Sequence, residues 1–153
     1  MKIIKKFIFT KEGYNEQKSK RDKLYEERKE AVKTLKAARE LGDLSENGLY
    51  KAARARLSSI DNRLNRIEGL LKFGVIAEKP KQGTAGIGSC VHLDKNHNLY
   101  KYYLVGDYEA DPINGKISHI SPLGKQIIGK KEGDIINIKA PIGTITYKIK
   151  KII

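Results

Sequence analysis

The chain has 153 residues, of which 39% are hydrophobic and 32% charged, and its 31 lysines and arginines exceed its 18 acids, which leaves a net charge of +13. This composition is typical of one folded domain or two small ones, and it excludes a disordered tail. No segment reaches the ~20 apolar residues of a membrane span, and the apolar start at 1–9 is too short for a signal peptide, so we expect a cytoplasmic protein without membrane contact.

The N-terminal half has the composition of long helices. Between Thr10 and Phe73 there is no proline and there are only four glycines, which favours helix. In the second part of this segment, apolar residues follow the three-and-four spacing of a coiled-coil seam. They are Tyr50, Ala53, Leu57, Ile60, Leu64, Ile67 and Leu71. In the first part the same spacing is weaker, and we expect the aliphatic portions of arginine side chains to lie along the seam. Its seam positions are Tyr14, Arg21, Leu24, Arg28, Ala31, Leu35 and Ala38.

The two predicted helices are joined by a short connection. We expect Thr10 to cap the first helix, Gly42 to end it in a left-handed conformation, and Asp43 or Ser45 to cap the second. So short a link requires the helices to fold back on each other. The sequence therefore predicts a long antiparallel helical hairpin.

Three acids surround this connection: Glu40, Asp43 and Glu46. One interpretation is structural, because Asp43 followed three residues later by Glu46 resembles a capping box at a helix start. The other is that two carboxylates at a solvated tip bind Mg²⁺, which takes few protein ligands and fills its shell with water and phosphate. Such a weak site becomes useful only where another macromolecule supplies more ligands or a second metal.

The C-terminal half has the composition of short strands and turns. It holds all four prolines and ten of the fourteen glycines, with the only cysteine, Cys90, and the three histidines. One thiol excludes an internal disulfide, and the histidine spacing does not fit a zinc site. Strands are expected at 87–93, 99–105, 135–138 and 144–149, and a helix at 122–128. The fold class is therefore α+β, with domains at 1–76 and 77–153.

Several segments resemble those of one protein family. Residues 38–50, ARELGDLSENGLY, resemble the tip motif of the GreA/GreB transcript cleavage factors of bacterial RNA polymerase. Residues 10–14, TKEGY, resemble the start of the family's first helix. Further segments follow the family's C-terminal domain in order: 109–112 (EADP), 115–118 (GKIS), 121–124 (SPLG) and 128–134 (IGKKEGD). The resemblance covers nearly the whole chain.

The resemblance implies a coiled coil that enters the secondary channel of RNA polymerase and an FKBP-like C-terminal domain that docks at the channel rim. Asp43 would be a ligand of a Mg²⁺ shared with the polymerase active site, and Glu46 would share the ion or orient the attacking water. The protein would not be an enzyme but would stimulate the polymerase's own cleavage of the backtracked nascent RNA 3′ end. We expect a monomer with only weak Mg²⁺ binding when free.

Other residues receive roles from the same resemblance. Ser45, Asn47 and Tyr50 are expected to support the tip, and Ser121, Pro122 and Leu123 to dock on the polymerase. The last three also fit a helix start, with Ser121 as N-cap and Pro122 at the first position. Where the family often has alanine and an acid, this chain has Gly48 and Leu49, which lowers the expected metal affinity.

Basic residues lie off the predicted seam of the second helix. They are Lys51, Arg54, Arg56, Arg63 and Arg66. They form either an ordinary solvated face or a patch that contacts phosphates of the extruded RNA, and the net charge also favours nonspecific nucleic-acid (RNA or DNA) binding. Two alternatives to a cleavage factor stay open: a secondary-channel-binding regulator that inhibits or competes without cleavage, and a coiled-coil nucleic-acid-binding protein.

Overall fold

The computed structural model describes residues 6–42 and 47–153. Contacts divide the chain into two compact units. One, which we call the hairpin unit, is Asn15–Phe73, and the other, the sheet unit, combines Met1–Tyr14 with Gly74–Ile153. The domain division at residue 76 stays a prediction. In the described stretches, no helix is both long and apolar enough to cross a membrane.

Two long helices, α1 (Lys11–Glu40) and α2 (Gly48–Lys72), confirm the predicted helical segments. Thr10 caps α1 as expected, because its Oγ1 accepts a hydrogen bond from the Gly13 amide at 3.0 Å. Beyond the end of α1, Gly42 has a φ of +121°, a region that favours glycine.

In the hairpin unit, α1 and α2 pack antiparallel along the predicted seam. Opposed side chains confirm the direction: the Tyr25 hydroxyl donates to Glu68, and Arg28 Nε donates to Asp61 at 2.6 Å. The seam positions are buried or half-buried on both helices, and Arg28 is one of the half-buried ones. The buried members are Leu24, Ala31, Ala38, Ala53, Ile60, Leu64 and Leu71.

Within residues 6–14 and 74–153, the sheet unit contains two sheets. In the first, β1 (Phe7–Phe9) pairs in parallel with β2 (Gly74–Ile76). The second has five strands in the order β5-β4-β3-β7-β6, and only its β4–β5 pair is parallel. These strands are β3 (Cys90–Lys95), β4 (Asn98–Val105), β5 (Lys116–Ser118), β6 (Ile135–Ala140) and β7 (Gly143–Ile152), and a short helix, α3 (Pro122–Ile127), follows β5.

The α+β class is confirmed, and the four predicted strands and the helix are present with shifted ends. The strand predicted from residue 87 begins only at Cys90, because Gly88 has a φ of +94° within a turn. Three strands were missed: β1, β2 and β5. Each has three residues, which is too short for an alternating pattern to be recognised.

A cluster of buried side chains forms the core around the five-stranded sheet. It contains Ala85, Val91, Leu93, Leu104, Ile127, Ile136 and Ile149. Leu93 on β3 lies beside Ile149 on β7, and both are fully buried. This core joins the five-stranded sheet to α3 and to the turn before β3.

Replacing Ile149 with alanine leaves a cavity in this core, so we expect the free energy of unfolding to fall by about 2–5 kcal/mol. The matched control is Ile142→Ala, because Ile142 is 90% exposed in the turn before β7 and such surface changes stay within about 0.5 kcal/mol. Urea denaturation followed by circular dichroism measures both. Equal losses in the two variants would contradict the assigned core.

Candidate functional site

The candidate tip is the segment between α1 and α2. Glu40 is exposed at the end of α1. Asp43, Ser45 and Glu46 lie outside the described residues. The two helix ends that flank them are described and can be analysed directly.

Asn47 is the residue that caps α2. Its side-chain oxygen accepts a hydrogen bond from the Tyr50 amide at 3.0 Å, and its Nδ2 donates to the Ala38 carbonyl at 2.8 Å. The cap was predicted at Asp43 or Ser45, and that prediction is wrong because the helix starts later, at Gly48. One side chain thus satisfies a free amide of α2 and also binds a carbonyl in the last turn of α1, which accepts a longer hydrogen bond from the Leu41 amide at 3.4 Å.

A pocket opens beside the tip on one flank of the hairpin, with a volume of about 520 Å³. Its polar wall consists of Arg39 from α1 and of Tyr50, Arg54, Ser58, Asp61 and Asn62 from α2. The Arg39 guanidinium lies 5.9 Å from the centre of the Tyr50 ring, within cation–π range. Two cations and an aromatic face therefore meet next to the tip.

Electrostatics in this pocket favour an anion. The pKa of Tyr50 is lowered, chiefly by its hydrogen bond with Arg39 and further by the positive charges of Arg39 and Arg54, against a smaller opposing effect of burial. The one acid in the lining, Asp61, is already engaged by Arg28 at 2.6 Å. A bound phosphate would therefore meet two arginines with little repulsion.

The predicted basic residues do not come together in one patch. Lys51, Arg54, Arg56, Arg63 and Arg66 are all exposed, but at 100° per residue they point to different sides of α2. Arg54 lies in the pocket beside Arg39, whereas Arg63 pairs with Glu27 at 3.7 Å on the opposite flank. Sequence reasoning missed the pairing of Arg39 with Tyr50, because that contact crosses between helices.

The opposite flank carries an apolar groove of about 380 Å³ beside the tip. Its walls are Thr34, Ala37, Ala38, Leu41, Leu49, Ala52, Ala53 and Arg56. Leu41 and Leu49 are 71% and 66% exposed. The alanine pairs at 37–38 and 52–53 are the sequence signal that indicates this groove, and the sequence analysis did not use it.

Ser121, Pro122 and Leu123 form the start of α3. Ser121 is its N-cap, with Oγ accepting a hydrogen bond from the Gly124 amide at 3.0 Å, and Pro122 follows at the first position. Leu123 packs against the core of the sheet unit. Only Pro122 of the three is exposed, and it lines a pocket of about 420 Å³ together with Lys125 and Lys139.

Metal ligands are not grouped in the described residues. Within 6–42 and 47–153, no set of three histidines, cysteines or acids could hold an ion. Cys90 is buried at the start of β3.

Two family models match the chain, and together they cover nearly all of it. Residues 7–76 match "Transcription elongation factor, N-terminal", and residues 79–153 match "Transcription elongation factor, GreA/GreB, C-term". The chain belongs to the GreA/GreB family of transcription elongation factors. The resemblance inferred from the tip and C-terminal motifs is thereby confirmed.

Relatives named transcription elongation factor GreA match this GreA/GreB family chain almost end to end. The protein of Clostridium kluyveri is 38% identical over 99% of both chains. That of Lactococcus lactis subsp. cremoris is 36% identical over 97% of this chain and 98% of its own. Among solved structures, GreA factor homolog 1 of Thermus thermophilus is 27% identical, with a TM-score of 0.47 over 97% of this chain and 99% of its own.

Replacing Asn47 with alanine removes both hydrogen bonds of the α2 cap, so we expect the hairpin to lose about 1 kcal/mol of stability. Urea denaturation followed by helical circular dichroism measures the loss. The control is Asn62→Ala, because Asn62 lies inside α2 and alanine is the better helix former there. A loss in Asn62→Ala as large as that in Asn47→Ala would contradict the assigned cap.

Proposed function

We propose that the chain binds RNA polymerase, enters its secondary channel and stimulates cleavage of the backtracked nascent RNA 3′ end, and so acts in the cytoplasm. The observation that carries the proposal is family membership over nearly the full length, with 38% identity to a GreA. The antiparallel hairpin supports it, because two acids of the chain fall between its helices.

Asp43 and Glu46 are the proposed catalytic and metal-binding residues. Asp43 contributes a ligand for Mg²⁺ shared with the polymerase centre, and Glu46 shares the ion or orients the attacking water. When bound, the ion supplies charge neutralisation and an activated water for phosphodiester hydrolysis. Two carboxylates hold Mg²⁺ weakly by themselves, so the chain stimulates the polymerase rather than acting as an enzyme alone.

We propose that the Arg39–Tyr50–Arg54 pocket binds the extruded RNA. Its two guanidinium groups suit phosphate oxygens, and the Tyr50 ring offers a face for a base. Phosphate contacts of this kind give salt-dependent affinity without sequence preference. Lys51, Arg56, Arg63 and Arg66 then contribute through the general positive field of the hairpin.

The C-terminal half is the proposed docking domain, with an FKBP-like fold and contacts at the channel rim. The support is the five-stranded, largely antiparallel sheet covered by α3. At the docking site we assign direct contact to exposed Pro122, while Ser121 and Leu123 shape the start of α3. We propose that the chain acts as a monomer.

Removing the tip carboxylate with Asp43→Ala should lower the stimulated cleavage rate at least about 100-fold, because a metal ligand is lost. Halted, backtracked polymerase with 3′-labelled RNA and Mg²⁺ measures this as release of short 3′ fragments. Glu40→Ala is the matched control, because Glu40 is an exposed acid at the end of α1, and it should retain the wild-type rate.

Two other outcomes of this assay contradict the proposal. If wild type binds the polymerase without accelerating fragment release, the chain is a channel-binding regulator instead. If Asp43→Ala retains the full rate, cleavage is stimulated without the tip carboxylate, and the assigned metal ligand is wrong.

Replacing Arg54 with alanine should raise the concentration of factor needed for half-maximal cleavage and reduce the salt slope of log affinity by about 1, since one phosphate contact is lost. Lys23→Ala is the control, because it removes the same charge from an exposed position of α1, about four turns before Arg39. Titrations at several salt concentrations measure both slopes. Equal changes in the two variants would indicate a general charge effect and no pocket contact.

A further inference from the structure

Glu109 joins two motifs that are far apart in the sequence, residues 10–14 and residues 109–112. Its Oε2 accepts hydrogen bonds from the Thr10 amide at 2.8 Å and from the Gly106 amide at 3.0 Å. Its Oε1 accepts one from the Thr10 hydroxyl. One carboxylate thus holds the residue that caps α1, within the sheet unit.

Two glycines permit this close approach. A Cβ on Gly13 would overlap the Glu109 carboxylate, and a Cβ on Gly106 would overlap the Ile8 carbonyl. The Thr10 hydroxyl lies between both groups, since it donates to Glu109 and accepts from the Gly13 amide at 3.0 Å. Neither glycine has a positive φ, so close packing and not backbone conformation is the reason that glycine fits.

The neighbouring loop residues extend the contact along β1. Asp107 Oδ2 accepts from the Ile8 amide at 2.9 Å, and the Asp107 amide donates to the Ile8 carbonyl at 2.9 Å. The centroid of the Tyr108 ring lies 5.2 Å from that of the Phe7 ring and 6.4 Å from that of the Phe9 ring. Phe9 is fully buried. We call residues 7–10 and 13, together with 106–109, the latch.

The latch acts on the helix that leads to the tip. A carboxylate at a helix N-terminus is favoured by the helix dipole and satisfies amides that have no partner within the helix. Hydrogen bonds from backbone amides to an ionised carboxylate are stronger than neutral ones. Since α1 runs unbroken from Lys11 to Glu40, the residues held by the latch and those that precede the tip acids belong to one helix.

We propose that Glu109 is a positioning residue for cleavage stimulation, which rests on the proposed function. It fixes the first turn of α1, and this helix continues without a break to Glu40, three residues before Asp43 in the sequence. Loss of the latch therefore lowers the rate of cleavage in the bound complex and spares binding itself. Small errors in placing catalytic groups are known to cost large factors in rate.

The test compares Glu109→Ala with wild type in the fragment-release assay, titrated to saturation. We expect the maximal cleavage rate to fall about tenfold, while the half-saturating concentration changes less than about threefold. Glu109→Gln should recover part of the rate, because its amide oxygen still accepts from the Thr10 and Gly106 amides. Glu132→Ala is the matched control, since Glu132 also accepts from a backbone amide in the sheet unit, that of Ile152 at 2.8 Å.

Hydrogen exchange provides a direct readout of the latch in the full-length protein. The Thr10 and Gly13 amides should exchange faster in Glu109→Ala than in wild type and in Glu132→Ala, while core amides such as that of Ile149 retain their protection. If core protection and binding fall together with the rate, Glu109 is only a stabilising residue and the proposal is overturned.

The two proposals fail in distinguishable ways. If wild type does not accelerate cleavage, the proposed function fails and the positioning role fails with it. If wild type accelerates cleavage and Glu109→Ala retains the full maximal rate, only the positioning role is overturned.

Discussion

The seam between α1 and α2 is the interaction on which the candidate site depends. Near the tip its buried members are small, Ala38 and Ala53, whereas farther along α2 they are Ile60 and Leu64. The alanines line the apolar groove on one flank, whereas the larger seam residues Leu35 and Leu57 line the Arg39–Tyr50–Arg54 pocket on the other. The hydrophobic contact that holds the helices together thus also determines the shape of the two surfaces beside the tip.

The helices were predictable because their apolar spacing extends over many turns, and each turn adds information. The three-residue strands were missed because so short a run shows no period. The α2 cap was assigned to the wrong residues, since Asp43, Ser45 and Asn47 are all good caps and only the observed helix start distinguishes them. The latch could not be predicted, because Thr10 and Glu109 are 99 residues apart in the chain and nothing local indicates that they meet.

Acids have different tasks in the two units. In the hairpin unit they pair with cations, as Glu27 does with Arg63 and Glu26 with Lys29, and such exposed pairs contribute little stability. In the sheet unit, acids accept hydrogen bonds from backbone amides at turns and at the latch. These acids are Asp94, Asp107, Glu109, Asp111, Glu132 and Asp134. Many of the lysines and arginines are therefore left to give the surface its positive field.

The alternating three-and-four seam has a consequence for how the hairpin can change in length. An insertion in one helix alone would rotate every later seam residue away from its partner, unless seven residues were added. Seven added to one helix would still leave its end about 10 Å beyond the other, and Asn47 could no longer bridge to Ala38. A change in length that keeps both the seam and the Asn47 bridge in register, without local unwinding of the helices, therefore adds or removes one heptad in each helix.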